Sequence, residues 1–308
     1  MKKWLFMAML FLQKLSFSQD PCLPTYQLPA KQQPISNGIQ VGYVEAGQGK
    51  TVLLLHGLGG NLSHWLPVMK AMATSYHVIA LDFPGYGASD KVLPDTTKDA
   101  IQFYADAVSQ FIQQKGLMNV VLAGHSMGGQ VAMVTALQSP ELVSHLVLVA
   151  PAGLETFSQQ EGALLIGASQ PAVFEKQEEA AIRASFKMNF YELPGESEVL
   201  VQDRLRLKSC PDFKIYTQVV SAGVKGMLAH PVKSELKNIK QPTLILFGEN
   251  DALIPNPYLH PHLTKEALVK EATALLPQSK VVMVGKAGHL LPFEKPTLVS
   301  QAINEFLK

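Results

Sequence analysis

The stretch VVLAGHSMGGQVAMV, residues 120–134, passes from β-branched residues through glycines into a helix-like segment. Its centre, GHSMG, fits the pattern G-x-S-x-G, in which a serine occupies a sharp turn between a strand and a helix. Small residues at 124, 128 and 129 avoid the Cβ clashes that such a strained turn creates. An ordinary strand-to-helix turn is the alternative, but the flanking strand and helix patterns favour Ser126 as a nucleophile.

Outward from this turn, short apolar runs alternate with helix-like segments. Runs rich in Val, Ile and Leu begin near residues 51, 77, 119, 143, 242 and 279. Between the second and third runs, Ile101, Tyr104, Val108, Phe111 and Ile112 recur at three- and four-residue spacing. Continuous apolar strands suit a sheet covered on both faces, so the sequence predicts an α/β fold with a mostly parallel, doubly wound sheet.

The alternation stops between residues 152 and 238. Four prolines, at 171, 194, 211 and 231, interrupt mostly helical stretches there, and the strand pattern resumes at 242. We therefore expect one core made of residues 39–151 and 239–308, with residues 152–238 inserted into it as a helical segment. Residues 19–38, polar and rich in proline, form a leader.

The first residues follow a different pattern. Lys2 and Lys3 precede nine apolar residues, and Ser16-Phe17-Ser18 supplies a small-residue cleavage site. The apolar run is shorter than the roughly 20 residues of a membrane span. Residues 1–18 are therefore predicted to be a signal peptide of a secreted or periplasmic protein, with an uncleaved anchor as the alternative and no stable membrane span after cleavage.

Charge and cysteine content narrow the partners. The chain has 26 basic and 25 acidic residues, and loss of Lys2, Lys3 and Lys14 with the signal peptide leaves a net charge of −2. With that balance, the protein has no excess of basic residues with which to bind nucleic acid or an anionic membrane. Cys22 and Cys210 are the two cysteines; an oxidising compartment permits a disulfide, and the sequence leaves free thiols equally open. No sequence signal indicates the oligomeric state.

A serine hydroxyl needs a base, and the base needs a carboxylate. His289, in AGHLLPFEKP, lies in a glycine-flanked loop after the last predicted strand and is the candidate base. Asp251, after the preceding strand, is the preferred carboxylate, with Glu249 as the competitor. The order Ser126, Asp251, His289 matches the order expected for this kind of fold.

The remaining candidates concern the oxyanion and the other histidines. The backbone N–H groups of Met127, after the nucleophile, and of Leu58, in the glycine loop HGLGGN, are the predicted oxyanion donors. His125 is expected to be structural because its side chain points away from its neighbour. His260 and His262 have no other potential metal ligands beside them in the sequence pattern, so no metal is predicted. No cofactor is predicted either.

Five motifs together resemble an α/β-hydrolase of the large prototypical subgroup. They are HGLG at 56, LDFPGYGASD at 81, GHSMGG at 124, GENDALIP at 248 and AGHLLPFEKP at 287. The resemblance spans about residues 39–308 and implies a strand before residue 51, a catalytic triad and a helical cap over the active site formed by residues 152–238. Dehalogenase and epoxide hydrolase branches have an aspartate at the nucleophile position, so Ser126 argues against both.

The leading hypothesis is a serine esterase or lipase that cleaves a small ester or lipid substrate through an acyl-enzyme on Ser126. A carbon-carbon bond hydrolase with the same triad is the alternative, and export from the cell argues against it. A non-hydrolytic binding protein is a third hypothesis from a different class. Aromatic residues of the inserted segment are candidates for an acyl pocket: Phe157, Phe174, Phe186, Phe190, Tyr191, Phe213 and Tyr216.

Overall fold

A computed structural model describes residues 20–95 and 99–308. The predicted signal peptide, residues 1–18, lies outside the described residues. The strands are β1 (Lys31–Pro34), β2 (Gln40–Ala46), β3 (Thr51–Leu55), β4 (His77–Leu81), β5 (Val120–His125), β6 (Val143–Val149), β7 (Thr243–Gly248) and β8 (Ser279–Val284).

The helices connect the strands and flank the sheet. Those of the first half are α1 (Leu66–Met72), α2 (Ala100–Gln114) and α3 (Met127–Gln138). Between β6 and β7 lie α4 (Gln159–Ala168), α5 (Pro171–Glu175), α6 (Glu179–Lys187), α7 (Glu198–Lys208) and α8 (Phe213–Ala229). The chain continues with α9 (Lys265–Leu275), α10 (Leu291–Glu294) and α11 (Pro296–Leu307). Within the described residues, no helix combines the length and apolarity needed to cross a bilayer.

The strands form one sheet in the order β1-β2-β4-β3-β5-β6-β7-β8. Strands β3 to β8 are parallel, whereas β2 pairs antiparallel with β4 and β1 antiparallel with β2. The predicted mostly parallel α/β sheet is confirmed, and all six apolar runs form strands. Strands β3, β5 and β7 are almost wholly buried, since helices cover both faces.

Helix α2 shows how local signals set an element. The Asp99 side chain accepts the N–H of Gln102 and caps the first turn. The apolar stripe that includes Ile101 and Phe111 is buried against the sheet and α3. The chain then turns at Gly116, whose φ of 65° is accessible to glycine at little cost. This helix agrees with the one predicted from spacing.

Strand β1 was not predicted. It lies in the leader, reads KQQP, and is mostly exposed at the edge of the sheet. An edge strand needs no buried apolar face, and Pro34 at its end costs no hydrogen bond within the sheet. Apolar alternation, the signal that reveals a half-buried strand, is therefore missing from this segment.

The N-terminal arm, residues 20–26, is fastened to the helical segment, residues 152–238. Cys22 and Cys210 form a disulfide with a Cα–Cα distance of 5.8 Å, which resolves the two possibilities that the sequence left open. The Asp203 carboxylate accepts both the N–H and the hydroxyl of Thr25, each at 2.8 Å. The arm thus contacts the middle of α7 and the residues just after its C-terminal end, although the two parts are far apart in sequence.

Candidate active site

Ser126 stands at the turn between β5 and α3 in a rare backbone conformation, with φ 53° and ψ −120°. Such a conformation costs a non-glycine residue about 1–3 kcal/mol and persists only where neighbours enforce it. The Ser126 N–H donates to the Val149 carbonyl at 3.0 Å, and the Ser126 carbonyl accepts from the Ala152 N–H at 3.0 Å. Strand β6 and the residues after it therefore hold the turn from one side.

Glycines permit close approach on the other side. A Cβ added at Gly124 would lie 2.2 Å from the Gly128 carbonyl oxygen, and one added at Gly128 would lie 2.5 Å from the His56 carbonyl oxygen. Backbone oxygens at these distances cannot move aside cheaply. Gly124 thus lets β5 approach the first turn of α3, and Gly128 lets that turn lie against the loop that follows β3.

The two other predicted triad residues meet on neighbouring loops. His289 Nδ1 lies 2.8 Å from Asp251 Oδ2, and both side chains are buried. Oδ1 of Asp251 accepts the N–H groups of Leu253 and Ile254 at 2.8 and 3.0 Å. A carboxylate so placed assigns the proton to Nδ1 and leaves Nε2 of His289 as an acceptor.

The electrostatics of this pair favour an ionised carboxylate. Burial by itself would raise the pKa of Asp251, but the neighbouring His289 and the two backbone N–H donors bring that pKa below its ordinary value. Glu249, the competing carboxylate, is exposed to solvent instead. The structure therefore pairs His289 with Asp251 and leaves Glu249 outside the pair.

The loop after β3 orients the Leu58 N–H. His56 Nε2 accepts the Phe83 N–H at 3.1 Å, so its proton is on Nδ1, which donates to the Gly57 carbonyl at 2.8 Å. Burial lowers the pKa of His56 and keeps the ring neutral. In a trans peptide the N–H points opposite to the C=O. The Leu58 N–H therefore faces away from His56, on the side of the cavity that Gly57 and Leu58 line.

The second predicted donor, Met127, is the first residue of α3. Its N–H has no acceptor within the helix, because the first four N–H groups of any α-helix lack intrahelical partners. The N-terminal end of a helix also carries partial positive charge, which favours a developing anion. The Met127 N–H is thus available beside Ser126.

His125 has a different task from its neighbour. Its Nε2 donates to the backbone carbonyl of His289 at 2.9 Å, so the residue beside the serine ties the turn to the loop of His289. Burial is the largest cause of a pKa well below the usual histidine range. A neutral, fully buried ring is suited to support the loop and not to take a proton from Ser126.

Ser126, His289 and Leu58 line one cavity of about 500 Å³. The helical segment supplies most of its apolar wall, through Phe157, Leu165, Phe174, Met188, Met227 and Leu228. Of the seven aromatic residues named from the sequence, Phe157 and Phe174 line this cavity. Phe186 and Phe190 instead form a separate apolar cluster with Leu290, and Tyr191 is exposed. Sequence spacing does not reveal which face of a short helix meets the core.

The cavity lining contains few charged side chains. Within residues 20–95 and 99–308, its lining contains the carboxylate of Glu155 and no lysine or arginine. Glu155 is held by the Asn256 N–H at 2.9 Å and by His260 Nδ1 at 2.5 Å. In the same described ranges, no group of three or more His, Cys, Asp or Glu side chains is arranged to hold a metal ion.

Asp82 is a buried carboxylate to which the sequence analysis assigned no role. It accepts the Leu62 N–H at 2.7 Å, the Ala88 N–H at 2.8 Å and the Tyr26 hydroxyl at 2.5 Å. It thereby ties the loop after β3 to the loop after β4 and to the N-terminal arm. The LDFPGYGASD motif contained the signal, namely an acid directly after an apolar strand.

The strand-end serine turn, the buried histidine–aspartate pair and the mostly parallel sheet define a hydrolase of the α/β type. A sequence model of the alpha/beta hydrolase fold matches residues 50–296. That match covers more than half of the chain, which therefore belongs to the α/β hydrolase family.

Individual relatives differ in activity. The chain is 28% identical over 273 residues to Lipase 1 of Psychrobacter immobilis, covering 85% of this chain and 79% of that protein. It is 29% identical over 265 residues to the dihydrolipoyllysine-residue acetyltransferase component of the acetoin cleaving system of Cupriavidus necator. That match covers 84% of this chain and 64% of the relative, so the chain spans less than two thirds of that protein.

The structure also resembles a solved one. A probable hydrolytic enzyme from Pseudomonas aeruginosa PAO1 superimposes with a TM-score of 0.81 at 25% sequence identity. The similarity covers 92% of this chain and 96% of that protein.

Proposed function

We propose that this hydrolase cleaves carboxylic esters through an acyl-enzyme on Ser126. The observation that carries the proposal is the buried 2.8 Å contact between His289 Nδ1 and Asp251, which leaves Nε2 free as a base in the cavity that Ser126 lines. A serine hydroxyl becomes an effective nucleophile only when such a base removes its proton.

The reaction uses the described groups in sequence. Ser126 Oγ attacks the ester carbonyl carbon while His289 takes the hydroxyl proton, and Asp251 stabilises the imidazolium. The carbonyl oxygen becomes an oxyanion that accepts hydrogen bonds from the N–H groups of Leu58 and Met127; loss of one such donor costs roughly 3 kcal/mol. His289 then gives the proton to the departing alcohol. Water, activated by the same histidine, releases the acid from Ser126.

The cavity favours a neutral ester over the substrate of a carbon-carbon bond hydrolase. Ring-cleavage products of the vinylogous diketone type carry a carboxylate, which calls for a cationic partner in a buried site. The described cavity lining contains no lysine or arginine; it offers an apolar wall, the Glu155 carboxylate and neutral polar side chains such as Ser185 and Asn189. The apolar wall suits the uncharged acyl chain of an ester or lipid, and the relationship to Lipase 1 of Psychrobacter immobilis agrees with this choice.

Secretion or export to the periplasm belongs to the same proposal. The charge pattern of residues 1–18 motivates it, and the Cys22–Cys210 disulfide supports it because such bonds persist in oxidising compartments. Sequencing the N-terminus of the protein recovered from the culture medium or periplasm tests the cleavage site after Ser18.

Hydrolysis of p-nitrophenyl esters of increasing acyl length tests the activity. Wild-type protein should hydrolyse a range of chain lengths, and Ser126→Ala should lower kcat by at least about 10⁴-fold. The matched control is Ser144→Ala, which removes a serine at the amino end of β6, remote from the catalytic strand ends, and should retain wild-type kcat.

Three results would change the assignment. Activity retained in Ser126→Ala would remove this serine from its role. Wild-type protein that cleaves a coloured ring-cleavage product but no ester would favour carbon-carbon bond hydrolysis. A wild-type protein that neither hydrolyses esters nor reacts with a fluorophosphonate probe would favour a binding function.

A further inference from the structure

The carbonyl of Gly59, one residue after the Leu58 donor, is held by two side chains of the helical segment. A guanidinium N–H of Arg204, on α7, donates to this oxygen. The Tyr216 hydroxyl, on α8, donates to the same oxygen at 2.8 Å. Side chains from two helices that lie far from this loop in sequence thus hydrogen-bond to one peptide group beside the predicted oxyanion hole.

The contacts at Gly59 matter because the loop contains three glycines, whose backbone angles are little restricted. Gly59 has a φ of 66°, and Gly57 and Gly60 flank the segment. The Gly57 carbonyl is fixed from the core side by His56. The Gly60 N–H, in the same peptide group as the Gly59 carbonyl, donates to the Gly57 carbonyl at 3.1 Å, and that carbonyl shares its peptide group with the Leu58 N–H. The direction of the Leu58 N–H therefore depends on the contacts at Gly59 as well as on those at Gly57.

One face of α8 rests on the same loop. Tyr216, Val220 and Gly223 are spaced by four and three residues and share that face. A Cβ added at Gly223 would lie 2.6 Å from the Leu58 side chain and 3.3 Å from that of Met127. Helix α8 therefore packs against both residues whose N–H groups are the predicted oxyanion donors.

Arg204 lies outside the cavity that Ser126 lines. Its guanidinium lies 4.7 Å from the centre of the Tyr216 ring and 5.8 Å from that of the Phe186 ring. It borders a small cleft of about 30 Å³ with Gly59 and His64 and is absent from the lining of the cavity that contains Ser126. Arg204 therefore lies outside the lining of the cavity that contains Ser126, as a positioning role requires.

We propose that Arg204, assisted by Tyr216, is a positioning residue that fixes the Leu58 N–H in the oxyanion hole. This inference rests on the proposed serine-hydrolase function. It makes the helical segment part of the machinery that stabilises the tetrahedral intermediate, in addition to forming the wall of the substrate cavity. The expected signature is a loss in kcat without a loss in substrate binding.

Two rates measure the effect. The first is kcat for a p-nitrophenyl ester; the second is the rate constant for fluorophosphonate labelling of Ser126, whose attack on phosphorus also develops negative charge on oxygen and expels fluoride. Arg204→Ala should lower both by about tenfold or more and leave KM within about twofold, a partial loss of an effect that reaches 10²–10³-fold when a donor is deleted. Tyr216→Phe, which retains Arg204, should lower both rates less.

The controls separate positioning from general damage. Arg204→Lys should recover part of the rate, since an ammonium can donate to the Gly59 carbonyl but lacks the planar group that stacks on Tyr216. Arg206→Ala removes a second arginine from α7 whose partners are Thr25, Asp203 and the Leu23 carbonyl. It should label at the wild-type rate when measured well below its melting temperature.

The outcomes are distinct. Wild-type labelling that Ser126→Ala abolishes, together with slow labelling of Arg204→Ala, supports the positioning role. Equal labelling of wild type and Arg204→Ala overturns it and leaves the serine hydrolase intact, as does a change confined to KM. Rate losses of the same size in Arg206→Ala overturn it in favour of general destabilisation. A wild-type protein that is not labelled overturns both the inference and the function on which it rests.

Discussion

The serine turn and the helical segment are built in opposite ways. All of β5 is buried, as are the first ten residues of α3, so the turn is close-packed except where Ser126 faces the cavity. Among the residues of α4 and α5, by contrast, Gly162 is the one that is buried. The strand ends hold the proposed catalytic residues rigidly, whereas the lightly packed helices α4 and α5 line part of the cavity and can change with smaller consequences for the fold.

The largest effect is expected at the rigid strand ends. Asp251→Asn should lower kcat on the order of 10⁴-fold, because an amide that donates to His289 Nδ1 leaves the proton on Nε2 and removes the acceptor for Ser126. The measurement is kcat for the preferred p-nitrophenyl ester, with circular dichroism to verify folding. Glu249→Gln, at the exposed carboxylate two residues earlier, should keep kcat near the wild-type value. A reversed pattern would assign the carboxylate role to Glu249.

An intermediate effect is expected where the two regions are joined. Replacing both Cys22 and Cys210 by serine should lower the free energy of unfolding by about 2–4 kcal/mol, since the bond closes a loop across a sequence separation of 188 residues. Urea unfolding under non-reducing conditions measures the loss. Dithiothreitol should destabilise wild type by a similar amount and leave the double variant unchanged. Equal stability of wild type and variant would mean that the N-terminal arm is held by its hydrogen bonds alone.

The smallest effect is expected within the helical segment itself. Leu165, on α4, lines the cavity, so Leu165→Phe should shorten the preferred acyl chain and lower kcat/KM for longer esters by about tenfold. Leu164, the next residue on the same helix, is 65% exposed, and Leu164→Phe should leave the chain-length profile unchanged. A profile altered equally by both variants would show that α4 affects catalysis through its overall position and not through the cavity wall.

The sequence was most informative where local pattern and tertiary role coincide. The strand–turn–helix around Ser126 needs glycine at defined positions, and the clash distances at Gly124 and Gly128 explain why. Helix α2 was predicted from its apolar stripe and from the stop at Gly116, since both reflect local geometry. His289 and Asp251 are candidates from the sequence because each follows the carboxyl end of a predicted strand.

Contacts between distant segments carried no sequence signal. Strand β1 pairs through its backbone, which KQQP does not reveal. The hydrogen bonds from Arg204 and Tyr216 to the Gly59 carbonyl depend on how α7 and α8 pack against a loop about 150 residues earlier in the chain.

The sequence by itself determined the six parallel strands, the serine turn and the residues proposed for acyl transfer, because strand periodicity and glycine sterics act over a few neighbouring residues. Only the tertiary structure decided which carboxylate meets His289, whether Cys22 and Cys210 pair, and which side chains face the cavity. Those outcomes depend on distances between segments that packing alone sets. The chemistry of this hydrolase is thus encoded locally, and the shape of its substrate site is encoded in the fold.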